Sequence, residues 1–157
     1  MRKLLFLFLS LMLIFAKESE ALNIPDKIGD WNLESEFVTP LITDLNSQDF
    51  GRCIYRNYSR KKTVENLTII HALGKGFGNL NVPLEIRAAN SKTVMQSQSV
   101  YEILEVAGHK AIFEKHENLP DVLSISVGDF ETLTLESYSL KQTELVGIAE
   151  EICYNSR

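Results

Sequence analysis

The sequence predicts an α+β domain, mainly an antiparallel sheet, with a short middle helix and a C-terminal amphipathic helix packed on one face. Three observations predict it. Four strand-like runs follow one another between Val100 and Tyr138 with short turn signals between them. The segment that follows, Ser139–Cys153, switches from a period of two to a period of 3.6. The chain also has only four prolines, no low-complexity tract and no linker-like stretch, so one domain is the natural unit.

Taken in order, the turn-like Asp26–Asp30 leads into Trp31–Thr39, where Trp31, Leu33, Phe37 and Val38 surround Glu34 and Glu36, an irregular strand or edge segment. In Arg52–Tyr58, Cys53, Tyr55 and Asn57 share one face, and Arg52, Ile54, Arg56 and Tyr58 share the other. The first set carries less charge and is the expected core side. Val64–Leu73 is rich in β-branched residues around Thr68, Ile69 and Ile70. Between Gly78 and Thr93, Asn81 suits a cap, Pro83 suits a first helical turn, and Leu84, Ile86, Arg87, Ala88 and Ala89 fit two or three helical turns.

Val100–Val106 and His109–Lys115 flank Ala107-Gly108, a two-residue hairpin signal. Leu119–Val127 alternates Leu123, Ile125 and Val127 against Ser124 and Ser126, and after the Gly128-Asp129 turn Phe130–Tyr138 alternates Leu133 and Leu135 against Thr132 and Thr134. These runs predict a meander with one wet face. Ser139 as N-cap with Gln142 three residues on starts the closing helix, and Leu145, Ile148, Ala149 and Ile152 form its apolar stripe.

The first 21 residues have the three zones of a secretory signal. Arg2 and Lys3 are basic, Leu4–Ala16 is an almost unbroken apolar run of 13 residues, and Ser19 and Ala21 are small residues at positions −3 and −1 of a cut after Ala21. A membrane-spanning helix needs about 20 apolar residues, so the run is short for a permanent anchor. An earlier cut after Ala16 would place Ile14 at −3, where a small residue is preferred. No cysteine lies near the cut to accept a lipid. The expected product is therefore a single domain, residues 22–157, periplasmic or extracellular, with no anchor after cleavage. Its 136 residues can bury a core of their own. Loss of Arg2, Lys3, Lys17, Glu18 and Glu20 changes the formal charge from −5 to −6, which argues against nucleic acid as partner.

Export makes the two cysteines of interest. Cys153 lies beside the helix stripe and Cys53 lies on the expected core side of its strand. A Cys53–Cys153 disulfide would pin helix to sheet and stabilise the fold by up to about 4–5 kcal/mol through closure of a long loop. The alternative is two buried thiols.

The Ala107-Gly108-His109-Lys110-Ala111 run, the alternating Leu123–Asp129 and the closing Glu144–Ile152 together resemble the C-terminal half of small extracytoplasmic bacterial modules. Such modules occur in lipoproteins of unknown function and appended to anti-sigma factors, and are similar in outline to the PsbP and Mog1 kind of sheet-plus-helix fold. The resemblance covers roughly Tyr101–Ile152 and implies a non-enzymatic envelope module.

Residues that could carry chemistry are sparse. Gly74-Lys75-Gly76-Phe77-Gly78 follows a strand, but its spacing matches neither the dinucleotide fingerprint nor the Walker loop, so no nucleotide cofactor is expected. Lys75 and Phe77 are candidates for the mouth of a ligand pocket. His71, His109 and His116 lack a second ligand at zinc spacing, so no metal is expected. No nucleophile, base and orienting group can be named together, and the chain is expected not to be an enzyme. The one local charge cluster is Arg52, Arg56, Arg60, Lys61 and Lys62. Arg52, Arg56 and Arg60 share a strand face and are the candidate contacts for an acidic envelope or extracellular partner. Two function classes follow: an exported interaction module, or a carrier of a small apolar ligand held between sheet and helices.

Overall fold

Along the C-terminal half the strands begin and end where alternation and turn chemistry place them. The computed structural model describes residues 21–40, 42–43, 49–61, 63–74, 100–128 and 130–155. The strands are β1 (Lys27–Ile28), β2 (Trp31–Val38), β3 (Ile42–Thr43), β4 (Asp49–Arg60), β5 (Asn66–Leu73), β6 (Val100–Val106), β7 (His109–Lys115), β8 (Asp121–Gly128) and β9 (Glu131–Ser137). One helix, α1 (Gln142–Asn155), follows them. Ala107 and Gly108 both take positive φ, 50° and 81°, which gives the β6–β7 turn the twist that matches its strands. The expected middle helix, Asn81–Ala89, lies outside the described residues.

The sheet runs β1-β2-β4-β5-β9-β8-β7-β6, with β3 pairing β4 to one side, and every described pairing is antiparallel. The predicted meander is present as the contiguous half β9-β8-β7-β6. β2 is irregular as its sequence suggests: its register with β4 shifts between Leu33 and Ser35. One face carries the core. Leu67 and Ile69 of β5, Leu133 and Leu135 of β9, Leu123 and Ile125 of β8, and Ala111 and Phe113 of β7 pack with Leu145, Ile148, Ala149 and Ile152 of the helix. Burying each large apolar side chain stabilises the domain by roughly 1.5–3 kcal/mol.

The helix touches both ends of the sheet. At one end Gln142 Nε2 donates to Glu102 Oε2 of β6 at 2.9 Å, and at the other the Gly29 amide, between β1 and β2, donates to Glu151 Oε1 at 3.3 Å. Gln142 and Glu151 are nine residues apart, about 14 Å of helix axis. Eight flat strands would put the two edges about 34 Å apart. Long side chains at both ends, helped by the right-handed twist that accumulates across a sheet, let one helix reach both edges.

Two expectations about facing are corrected. In β4 the residues turned toward the helix are Ile54, Arg56 and Tyr58, since Tyr58 sits in the main core beside Leu67 and pairs with it in register. Cys53, an odd number of residues away along an unbroken register, faces the other side. Charge misleads here because the arginines bury their stems while their heads find carboxylates. The disulfide is thereby overturned: Cys53 and Cys153 are free, both buried, and the sheet lies between them. A bridge needs Cα atoms within about 7 Å, whereas packed layers stand about 10 Å apart. Burial pushes the Cys53 thiol up from its ordinary value.

The helix start also lies two residues later than Ser139 suggests. Lys141 N donates to Glu144 Oε2 at 3.1 Å, the return half of a capping box in which Glu144 also places negative charge in the first turn. The preceding residues are held instead by Ser137 Oγ, which accepts from the amides of Ser139 at 3.2 Å and Leu140 at 3.3 Å.

Candidate functional site

The arginine stripe divides into three fates. Arg56 is mostly buried, 19% exposed in its side chain, and lies 2.6 Å from Glu36 Oε2 and 3.6 Å from Asp26 Oδ1. It also donates to the carbonyl of Ile24. Burial alone would lower its pKa, but the Tyr58 hydroxyl and the Glu36 carboxylate outweigh that and hold the guanidinium still more firmly protonated. Arg56 thus clamps the N-terminal segment to the sheet. Arg52 is exposed. Arg60 lies with its guanidinium carbon 4.4 Å from the centroid of the Trp31 ring, and its Nη1 is 3.2 Å from Glu65 Oε2.

Arg60 enters a cavity. A pocket of about 450 Å³ is lined by Lys27, Asp30, Asn32, Arg60, Lys61 and Thr63. It forms because the β1–β2 turn and the β4–β5 hairpin lie at the same end of adjacent strands, with Trp31 paired to Arg60 and Lys27 paired to Asn32. Lys27, Arg60 and Lys61 face Asp30 in the lining, and with Glu65 paired to Arg60 just outside it the balance stays positive by one charge. Lys27 and Lys61 are exposed, while Arg60 is pre-set by stacking on Trp31, a contact worth about 0.5–2 kcal/mol. Among the described residues Arg60 Nε is buried without a hydrogen-bond partner. Lys61 stood in the sequence-level charge cluster; Lys27, from the far side of the turn, did not, because only strand pairing brings it there.

Lys75 and Phe77, the candidate ligand mouth, lie outside the described residues. The layer between sheet and helix, where an apolar ligand would sit, is filled by Leu123, Ile125, Leu133, Leu135, Leu145 and Ile152, all fully buried.

A second polar groove, about 400 Å³, runs between Glu34, Asn57, Asn66, Thr68, Glu136 and Tyr138 on the opposite side of the sheet. Asn57 is committed within it: its Nδ2 donates to Ser35 Oγ at 3.0 Å and its Oδ1 accepts from Thr68 Oγ1 at 3.0 Å. Burial raises the Glu136 carboxyl above its usual range.

The most buried titratable pair was not visible as a pair in the sequence. His71 Nε2 lies 2.6 Å from Glu131 Oε1, with side chains 4% and 9% exposed. The two sit on β5 and β9 at a diagonal, since Glu131 is opposite Leu73 and His71 opposite Leu133. Long side chains reach across such a diagonal. Burial would raise Glu131, but hydrogen bonds from His71 and the Leu22 amide, with the charges of His71 and His109, hold it below its usual range.

Among the described residues no three of His, Cys, Asp and Glu gather as a metal site, and no helix is long and apolar enough to cross a membrane. No protein-family model matches this chain, and no curated protein or solved structure does.

Proposed function

We propose that the chain is an exported, non-enzymatic interaction module that docks an acidic segment of an envelope or extracellular protein in the pocket of Lys27, Arg60 and Lys61. The observation that carries this reading is the pocket itself, a positive cavity on a mildly acidic domain, with one guanidinium held in place by Trp31. A fixed cation loses less conformational freedom on binding than a free one, and so adds specificity to charge attraction. The secretory pattern of the first 21 residues supports the location, and the resemblance of Tyr101–Ile152 to extracytoplasmic modules supports the class.

In situ cross-linking from the native envelope, followed by identification of the captured protein, tests the proposal. Capture of one acidic partner is expected, weakened by high salt and abolished by the double change Lys27→Glu and Lys61→Glu. Capture that survives both, with the variant folded by circular dichroism, would overturn the pocket as the docking site. Charge reversal of Lys110, exposed on β7, serves as the control and leaves capture unchanged.

A further inference from the structure

The buried His71–Glu131 pair has a third member, and its chemical form depends on whether the chain is cut before it. The backbone nitrogen of Leu22 donates to Glu131 Oε1 at 2.7 Å, the same oxygen that His71 Nε2 approaches at 2.6 Å. From Leu22 onward the segment is fastened across the sheet. The Ile24 side chain is in the core, the Ile24 carbonyl accepts from Arg56, the Pro25 carbonyl accepts from the Tyr58 hydroxyl at 2.7 Å, and the Leu33 amide donates to the Asp26 carbonyl at 2.8 Å. Ala21, one residue earlier, is exposed. The bond that Ser19 and Ala21 mark for a signal peptidase thus falls on the border between an exposed residue and an anchored one.

We propose that the Ala21–Leu22 peptide bond is hydrolysed and that the freed α-ammonium group of Leu22 becomes the ionic partner of the buried Glu131 carboxylate. The inference rests on the export reading for the agent of cleavage. One water is consumed: the C–N bond breaks, the water oxygen joins the Ala21 carbonyl carbon to give a carboxylate, and both water hydrogens end on the Leu22 nitrogen, giving the ammonium.

An intact amide offers Glu131 one neutral donor. An ammonium offers a charged one, and charge-assisted hydrogen bonds are about twice as strong as neutral ones. Burial amplifies the difference, because a carboxylate away from water is costly unless it is paired. The groups facing Glu131 are His71 from β5, His109 from β7 and Leu22 from the N-terminal segment. A free α-amine keeps its charge to about pH 8. Cleavage therefore supplies a full positive charge at neutral pH, at the nitrogen that already lies 2.7 Å from Glu131 Oε1. Pairing in turn raises the pKa of the Leu22 amine.

The test is to express the full chain with its first 21 residues in a secreting host, recover the exported protein and determine its N-terminal residue by mass. The expected first residue is Leu22. The rate at which the α-amine of this product is acetylated at pH 7 is then compared with that of the exported Glu131→Gln variant, and with the wild-type product unfolded in concentrated urea. At least tenfold slower acetylation of the native wild type than of either is expected, because each unit of pKa rise removes nine-tenths of the reactive free base. The urea comparison decides the matter if Glu131→Gln does not fold. An uncut chain would overturn the export reading itself, and a first residue other than Leu22 would overturn this cleavage site alone. Cleavage at Leu22 with equal acetylation rates would overturn the ion pair.

Discussion

Replacing Arg56 with alanine distinguishes a clamp from a docking residue. Arg56 bridges three acceptors contributed by two segments: Glu36 on β2, and Asp26 and the Ile24 carbonyl on the N-terminal segment. A hydrogen bond from a charged group to a buried carbonyl contributes about 1.5–3 kcal/mol. The Glu36 pair adds at most about 1 kcal/mol, because Glu36 is 37% exposed and screened. Arg56→Ala should therefore lower stability by about 2–3 kcal/mol. For a domain of this size each kcal/mol moves the melting temperature by roughly 3–5 °C, so a fall of about 6–15 °C is expected. Arg52→Ala, at an exposed position on the same face, should stay within about 0.5 kcal/mol. Urea denaturation followed by tryptophan fluorescence reads both, since Trp31 is buried and is the chain's one tryptophan. Equal midpoints for the wild type and Arg56→Ala, with partner capture lost only in the variant, would refute the clamp and restore Arg56 as a contact residue.

Three further outcomes are expected. Denatured but unreduced protein should take up two alkyl groups per chain, one on Cys53 and one on Cys153, and a product unalkylated until reduced would show that they are bridged. Gly51→Ala should cost about 1–3 kcal/mol in urea denaturation, because Gly51 has φ 136° and an added Cβ would lie 2.3 Å from the Leu73 carbonyl oxygen; a neutral effect would refute that backbone conformation. Glu136→Gln should raise stability at pH 7, with the gain disappearing below about pH 4. The folded-state pKa of Glu136 is raised, so the wild type loses stability as pH climbs from its unfolded value through the folded one; a gain that persisted in acid would contradict this.

How much was legible in the sequence differs between the two halves of the chain. β6 and β7 have the boundaries that alternation and the Ala107-Gly108 turn predict, and β8, β9 and α1 differ by only a few residues at their ends. Their pairings are between neighbours in sequence, where the turn sets the register. β4 was harder. Its alternation was correct, but the side on which the helix sits depends on pairing with β5, and β5 pairs next with β9, about 60 residues on. The pocket shows the same division. Arg60 and Lys61 were visible as a charge cluster, whereas Lys27 joins them only through the pairings β1–β2 and β2–β4.

The sequence by itself determined the class of the fold, the extent of the meander, the closing helix and the candidate processing signal, because each is written in local period, turn residues or a contiguous run. Tertiary structure alone decided which face of β4 meets the helix. It thereby separated Cys53 from Cys153, turned Arg56 from a surface charge into a clamp, and joined His71, Glu131 and Leu22 in one buried network. Those outcomes depend on distances between residues far apart along the chain, and local pattern carries no information about such distances.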